Sequence, residues 1–226
     1  MVAIKLQCRE MLSIIACLVG VFAVLVSAEV LGKHKVLRGE YRRKFVHVIA
    51  GSFIAFWPWF MSWRSIQIIG LAMVIFMLVN RNLRALNFMG GVKRISYGDI
   101  FLALAVSVCA FLTKEKLFFN LAILQVALAD GLAAAIGIKY GMHLKYKVFG
   151  HIKTVYGTMA VWFISLCIIS VGGLFAYTQI TFLGYAVLVL VLPPILTVVE
   201  NFGVFGLDNI AMPLVVLGGL YLVQNL

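Results

Sequence analysis

Apolar positions along the chain fall into long runs that are separated by short polar connections. The runs lie at 11–31, 46–61, 65–80, 97–113, 117–138, 156–176, 181–200 and 208–224. Most approach the length of about 17–25 residues at which a helix crosses a bilayer, whereas a barrel would show shorter alternating segments. The second and third runs are short and would tilt little or form a broken pair. The pattern predicts an all-α, polytopic membrane protein with about eight transmembrane helices, folded as one domain over 1–226.

Composition agrees with this prediction. Of 226 residues, 64% are hydrophobic and only 12% are charged, which is too few for the surface of a soluble domain of this size. The four cysteines are scattered singly and fit neither a disulfide framework nor a metal-ligand spacing. Lys5 and Arg9, the apolar run and Val-Ser-Ala resemble a cleavable secretory signal, yet the run continues past Ala28, which favours a membrane span.

The basic residues predict the orientation of the chain. The net charge is +11, but the Lys and Arg side chains cluster between apolar runs without an aromatic-basic motif, so no nucleic acid partner is expected. Fourteen lie in the odd-numbered connections, against five in the even-numbered connections and the tails. The positive-inside rule then predicts odd connections in the cytoplasm and both termini on the other side.

An aspartate inside the fifth run is the first candidate for chemistry. Burying Asp130 in a membrane costs a few kcal/mol at least (about +2.5–3.5 on insertion scales), so such a residue usually faces a cavity, an ion or a partner. Ala133, Gly137 and Gly141 follow on the same helical side, where small side chains allow a backbone or a phosphate to approach. The alternative is close helix packing, with Asp130 bridging to a neighbouring lysine.

Two polar segments flank other runs. Lys153 and Thr154 stand just before the sixth run, where a helix amino terminus would offer N–H groups to phosphate; a threonine cap beside a positive-inside lysine is the alternative. Before the second run, Arg43 and Lys44 share a helical face with His47. One interpretation is that both cations bind phosphate while His47 faces a reacting hydroxyl as general base; the other is that all three are juxtamembrane residues.

Two prolines stand in the seventh run. Pro193 and Pro194 are expected to interrupt the helix and free backbone carbonyls, which would either open a cleft beside Glu200 or simply kink the span for packing.

Three motifs together resemble the CTP-dependent polyprenol kinases, a family that includes dolichol kinase, phytol kinase and the CTP-using diacylglycerol kinase of fungi. The pattern D-x-x-A-x-x-x-G-x-x-x-G, followed after eleven residues by K-T-x-x-G-T, is similar to the nucleotide-binding signature of that family. "YRRKFVHVIAG" and "VENFGVFGLDN" resemble the family's opening and closing elements. The short chain is most similar to phytol-kinase-like members, although the family often has Ser where Thr154 stands. The signature of CDP-diacylglycerol synthases is absent.

The resemblance implies transfer of the γ-phosphoryl group of CTP to a membrane alcohol: phytol, geranylgeraniol, a polyprenol such as dolichol, or diacylglycerol. The implied nucleotide-binding positions are Asp130, Ala133, Gly137, Gly141, Lys153, Thr154, Gly157, Thr158 and Asn209. The implied catalytic residues are Arg43, Lys44, His47, Asp130 and Asp208, and the implied Mg²⁺ ligands are Asp130, Glu200 and Asp208. The site would face the cytoplasm, where a nucleoside triphosphate meets a lipid alcohol in the bilayer.

Three alternatives stay open. They are a cytidylyltransferase of the CDP-lipid type, a cation-coupled membrane transporter and a non-catalytic scaffold whose polar residues join helices. The preference for CTP over UTP or ATP rests on the resemblance alone, and the oligomeric state is left open.

Overall fold

A computed structural model of the chain describes the backbone of residues 2–83 and 97–224, and the side chains of 8–79 and 97–224. The helices are α1 (Val2–Lys33), α2 (Glu40–Ala55), α3 (Trp63–Leu83), α4 (Gly98–Leu112), α5 (Lys116–Leu124), α6 (Gly131–Tyr140), α7 (Val155–Phe175), α8 (Phe182–Phe202) and α9 (Asp208–Gln224). A π-helical turn, Gln125–Asp130, joins α5 to α6 without a break. A 3₁₀ turn, Trp57–Trp59, follows α2.

Four helices are long and apolar enough to cross a membrane. These are Cys8–Lys33, Lys116–Tyr140, Val155–Phe175 and Phe182–Phe202, while Trp63–Val79, Gly98–Leu112 and Asp208–Gln224 are shorter apolar helices. An all-helical membrane bundle is therefore the correct architecture in outline. The full count of eight spans and the side on which the termini lie stay predictions.

The second helix begins earlier than the apolar run that predicted it. α2 starts at Glu40, six residues before the expected boundary, and ends at Ala55. The charged residues ahead of the run are good helix formers, and Glu40 pairs with Arg43 one turn later, so the helix extends into the polar segment. Arg43, Lys44 and His47 consequently lie on one continuous helix.

The structure adds one β-hairpin to the predicted all-α fold. Lys145–Val148 (β1) and His151–Thr154 (β2) form an antiparallel hairpin in the connection that was expected to be a basic loop. Its two-residue turn has positive φ at both Phe149 (46°) and Gly150 (79°), which is the conformation that matches the twist of a tight hairpin. Alternating side chains in both strands accompany the turn, and a period of two favours a strand over a loop.

The expected interruption of the seventh run at Pro193 and Pro194 is not present. α8 is assigned as one helix from Phe182 to Phe202, with both prolines inside it. The Thr197 hydroxyl donates a hydrogen bond to the Pro193 carbonyl at 2.8 Å, one turn earlier in the same helix.

The bundle has an apolar interior and an apolar exterior. Phe118, Phe119 and Ile169 are buried in the core, whereas Leu12, Phe163 and Leu190 are 60–73% exposed on outward-facing helix surfaces. A helical protein that is hydrophobic on both sides is typical of a bundle solvated by lipid.

Chain reversals bring several helix ends to one end of the bundle. The π-helical turn and α6 contact α2 and α7, α7 packs on α8, and α8 packs on α9. As a result, the beginnings of α2, α7 and α9 meet the ends of α6 and α8, with the hairpin between α6 and α7. Polar side chains concentrate at this meeting point.

Candidate active site

A cleft of about 630 Å³ opens where these helix ends meet. Twelve of the fourteen residues proposed from the sequence line it, and the other two, His47 and Gly141, lie directly behind lining residues. Residues separated by up to 166 positions along the chain therefore contribute to one site, from Arg43 in α2 to Asn209 in α9.

The two cations of α2 enter the cleft already paired with carboxylates. Arg43 binds Glu40 through two hydrogen bonds, Nη2–Oε1 at 2.5 Å and Nε–Oε2 at 3.2 Å, and its Nη1 lies 3.9 Å from Asp99 Oδ1. Burial would raise the pKa of Glu40, but the hydrogen bonds and charge of Arg43 outweigh that effect and hold it below its ordinary value. Lys44 Nζ donates to Asp130 Oδ2 at 2.6 Å.

The π-helical turn shapes the surroundings of Asp130. A π-turn displaces backbone carbonyls from the regular hydrogen-bond ladder, and such turns are frequent at functional sites. Here the Val126 carbonyl lies 3.2 Å from His47 Nε2, and Asp130 Oδ2 lies 3.4 Å from the same nitrogen. Because both neighbours of Nε2 are acceptors, the geometry assigns the ring proton to Nε2, and Nδ1 has no partner among the described residues.

His47 does not face the cleft, in contrast to the expectation from the sequence. Its side chain is fully buried behind Asp130. Direct contact with a substrate hydroxyl would require the Lys44–Asp130 pair to move aside. The geometry instead favours a positioning role, in which His47 helps to fix the orientation of the Asp130 carboxylate.

The small residues of α6 allow α7 to approach closely. A Cβ atom on Gly137 would stand 2.7 Å from Thr154 Oγ1 and 3.5 Å from Gly157 Cα. A Cβ atom on Gly141 would stand 2.5 Å from Thr154 Cβ. These glycines hold the amino terminus of α7 against α6, as the packing interpretation proposed, and the same contact forms one wall of the cleft.

The amino terminus of α7 is capped, as the alternative interpretation of Thr154 predicted. Thr154 is the N-cap residue, and its hydroxyl oxygen accepts a hydrogen bond from the Gly157 N–H at 3.1 Å. Thr158, one residue further along the helix, also lines the cleft. This helix end presents the positive end of its dipole to the site.

The hairpin is fastened to α8 from the opposite side. Lys153 Nζ contacts Glu200 Oε1 at 2.5 Å and the Glu200 carbonyl at 2.8 Å. The Tyr146 hydroxyl is hydrogen-bonded to both Thr158 and Asn201. Two adjacent residues of α8 therefore fix the hairpin over the cleft.

Asp208 and Asn209 complete the wall at the start of α9. Both are buried, at 6% and 2% exposure, and Asp208 Oδ1 accepts a hydrogen bond from the Asn209 N–H at 3.2 Å. Asn209 Oδ1 has no partner within the described part of the chain. Asp208 makes no ion pair with any described side chain, which distinguishes it from Asp130 and Glu200.

Sequence reasoning missed several lining residues. Glu40 was outside the proposed motif, and Lys145 was counted only as a positive-inside residue, although both line the cleft. Tyr146 does not line the cleft, but its hydroxyl bonds to Asn201 and so attaches the hairpin to α8. The signal was present in K-Y-K-V-F-G-H-I-K-T, whose alternation and glycine-containing turn predict a hairpin.

Comparison with known proteins identifies the class to which this site belongs. No family model matches the chain, and no solved structure matches it. A curated phytol kinase from Synechocystis sp. is 32% identical over 201 residues, covering 85% of this chain and 83% of that protein. The chain therefore belongs to the CTP-dependent polyprenol kinase family, which is a family of lipid-alcohol kinases. Within that family, it is a phytol-kinase-like member.

Proposed function

We propose that this protein transfers the γ-phosphoryl group of CTP to a membrane isoprenoid alcohol, in a cleft that faces the cytoplasm. The observation that carries the proposal is the convergence of three separated motifs on a single charged cleft, formed by the beginnings of α2, α7 and α9 and the ends of α6 and α8. The similarity to a phytol kinase over most of both chains supports the reaction class and makes phytol-like alcohols the first acceptors to test.

Phosphoryl transfer requires aligned oxygens and neutralised charge more than covalent participation by the protein. Arg43, Lys44 and Lys153 supply positive charge on two walls of the cleft. Because Arg43 is held by Glu40 in a fixed fork, it presents its remaining N–H groups in a defined direction, which suits a migrating phosphoryl group. The capped amino terminus of α7 adds N–H groups for the other phosphate oxygens.

The residues that would hold a magnesium ion are drawn from Asp130, Glu200 and Asp208, and the ion would neutralise phosphate charge. Among the described residues, no group of three or more His, Cys, Asp or Glu side chains is arranged to hold a metal alone. Mg²⁺ in kinases is usually held by one or two carboxylates together with phosphate oxygens, so one or two of the three carboxylates that line the cleft would suffice. Asp208, which has no lysine partner among the described residues, is the carboxylate most available for this purpose.

An apolar rim beside the charged walls suits a lipid acceptor. Ile138, Met142 and Ile152 line the cleft and are 41%, 64% and 60% exposed. Exposed apolar side chains next to buried ion pairs form a boundary between membrane-like and water-like surroundings. The alcohol would enter along this rim, so that its hydroxyl reaches the phosphates while its tail stays in lipid.

The test is phosphoryl transfer by the purified protein in detergent. Reactions would contain Mg²⁺, γ-labelled CTP, UTP or ATP, and phytol, geranylgeraniol, a polyprenol or diacylglycerol. We expect label from CTP in an isoprenoid phosphate, with loss of transfer in Asp130→Asn. A substitution away from the cleft, Gly218→Ala, serves as a control for handling of a variant protein because a Cβ atom there meets nothing within 4 Å.

Each other outcome points to a different function. Label transferred only from ATP would keep the kinase and replace its donor. Label transferred from α-labelled CTP would indicate a cytidylyltransferase. A folded protein that transfers neither label would refute the kinase and favour a transporter.

A further inference from the structure

The β1–β2 hairpin has two faces with different neighbours. Tyr146 and Lys153 are cross-strand partners, and both are bound to α8, through Asn201 and Glu200 respectively. Side chains alternate along a strand, so the residues on either side of Tyr146 point the other way. Lys145 and Lys147 are these residues, and both are exposed.

Of these two lysines, only Lys145 lines the cleft. Its cross-strand partner is Thr154, the N-cap residue of α7, so the Lys145 side chain starts beside the positive end of that helix. Lys147 is opposite Ile152 and lies one pair closer to the hairpin turn. Lys145 and Lys147 are therefore two exposed lysines on the same face of β1, of which Lys145 lines the cleft and Lys147 does not.

Lys145 also differs from the other cations of the cleft. Arg43 is paired with Glu40, Lys44 with Asp130 and Lys153 with Glu200. Within the described residues, Lys145 makes no ion pair and no side-chain hydrogen bond. A cation without an ion pair or side-chain hydrogen bond among the described residues, beside a helix amino terminus in a cleft, is available to an anionic ligand without first breaking such a bond.

We infer that Lys145 is a nucleotide-binding residue, which contacts the phosphate chain of the donor at the amino terminus of α7. The inference rests on the proposed function for the identity of the ligand. Lys44 and Lys153 must exchange a carboxylate for phosphate when the nucleotide binds, whereas Lys145 has no partner to release. Lys145 thus strengthens donor binding, and the chemical step depends on the groups deeper in the cleft.

The test compares Lys145→Gln with Lys147→Gln. Both remove one positive charge from the same strand face, so effects of net charge or membrane attraction are matched. We expect Lys145→Gln to raise the KM for the nucleotide about tenfold at unchanged kcat, since a charged hydrogen bond at a hydrated site is worth about one such factor. Lys147→Gln should leave both constants within about twofold, and Lys145→Arg should restore most of the loss.

A binding measurement separates this inference from the kinase proposal. Thermal protection of each variant by Mg-CTP, and by magnesium triphosphate as a probe of phosphate contacts alone, requires no turnover. Weaker protection in Lys145→Gln than in Lys147→Gln supports the inference even when no lipid is phosphorylated. Equal KM and equal protection in the two variants of an active kinase would overturn the inference and leave the kinase intact. Absence of both transfer and protection in the wild-type protein would refute both.

Discussion

The Lys44–Asp130 pair allows a catalytic role to be separated from a structural one. Nζ and Oδ2 are 2.6 Å apart, and the two side chains are only 7% and 9% exposed, so solvent screens their interaction weakly. Removing one partner of a buried pair leaves an uncompensated charge and costs about 3–5 kcal/mol. Replacing both partners removes that penalty, because no unpaired charge then remains.

We therefore expect Asp130→Asn alone to lower the melting temperature by about 6–20 °C, taking about 2–4 °C per kcal/mol for a chain of this size. Lys44→Met alone should cost less, since His47 Nε2 stands 3.4 Å from Asp130 and still faces the carboxylate. The double variant should regain most of the stability, because Asn keeps an acceptor for His47 while the buried ammonium is gone.

Activity should behave differently from stability. If both residues take part in phosphoryl transfer, the double variant will be stable, but its kcat will be lower than that of the wild type by a factor of about 10²–10³ or more. This is the loss that follows removal of one charge-stabilising group. Melting curves and transfer assays on the same four preparations give this comparison. A double variant that recovers both stability and activity would refute the reasoning, because the pair would then serve only to join α2 to the π-helical turn.

Three further predictions follow from neighbouring contacts. His47→Asn should lower kcat by about tenfold without changing the shape of the pH–rate profile, because a residue that only positions Asp130 does not itself transfer a proton. Loss of one arm of the pH–rate profile in this variant would restore the general-base interpretation. Gly137→Ala should cost about 1–3 kcal/mol by driving its Cβ against Thr154 Oγ1, whereas Gly218→Ala, with open space, should be neutral or stabilising in the same melting assay. Mg²⁺ and nucleotide should each increase the affinity of the other, and calorimetric titrations in which affinities are independent would contradict this.

The helical architecture could be predicted because membrane spans have a strong and local signal. A run of apolar residues fixes both the helix and its surroundings, so α7 and α8 lie within a few residues of their predicted positions. The start of α2 was missed because hydropathy cannot detect a helix that continues into charged residues. The hairpin was missed because its three lysines were interpreted through the positive-inside rule, although the alternation and the Phe149–Gly150 turn favoured strands.

The sequence predicted which residues line the site more easily than which of their charged side chains form ion pairs. Motif spacing brought Asp130 and Lys153 into consideration, but spacing along the chain does not reveal which opposite charge each will contact. Lys44 reaches Asp130 across 86 positions, and Lys153 reaches Glu200 across 47. Such contacts depend on the order of helices around the bundle, which a single sequence does not encode in any short pattern.

The charge balance of the cleft explains why these long-range pairs form. The charged lining residues are four cations and four carboxylates in the described chain: Arg43, Lys44, Lys145 and Lys153 with Glu40, Asp130, Glu200 and Asp208. Charges that are buried in an apolar bundle require a partner of opposite charge. Lys44 and Lys153 therefore form ion pairs with Asp130 and Glu200 in the absence of a ligand. A triphosphate alone would bring further negative charge beside those carboxylates. Together with Mg²⁺, it would offer phosphate to Lys44 and Lys153 and a cation to their carboxylates, so that both members of each lysine pair would gain a new partner of opposite charge.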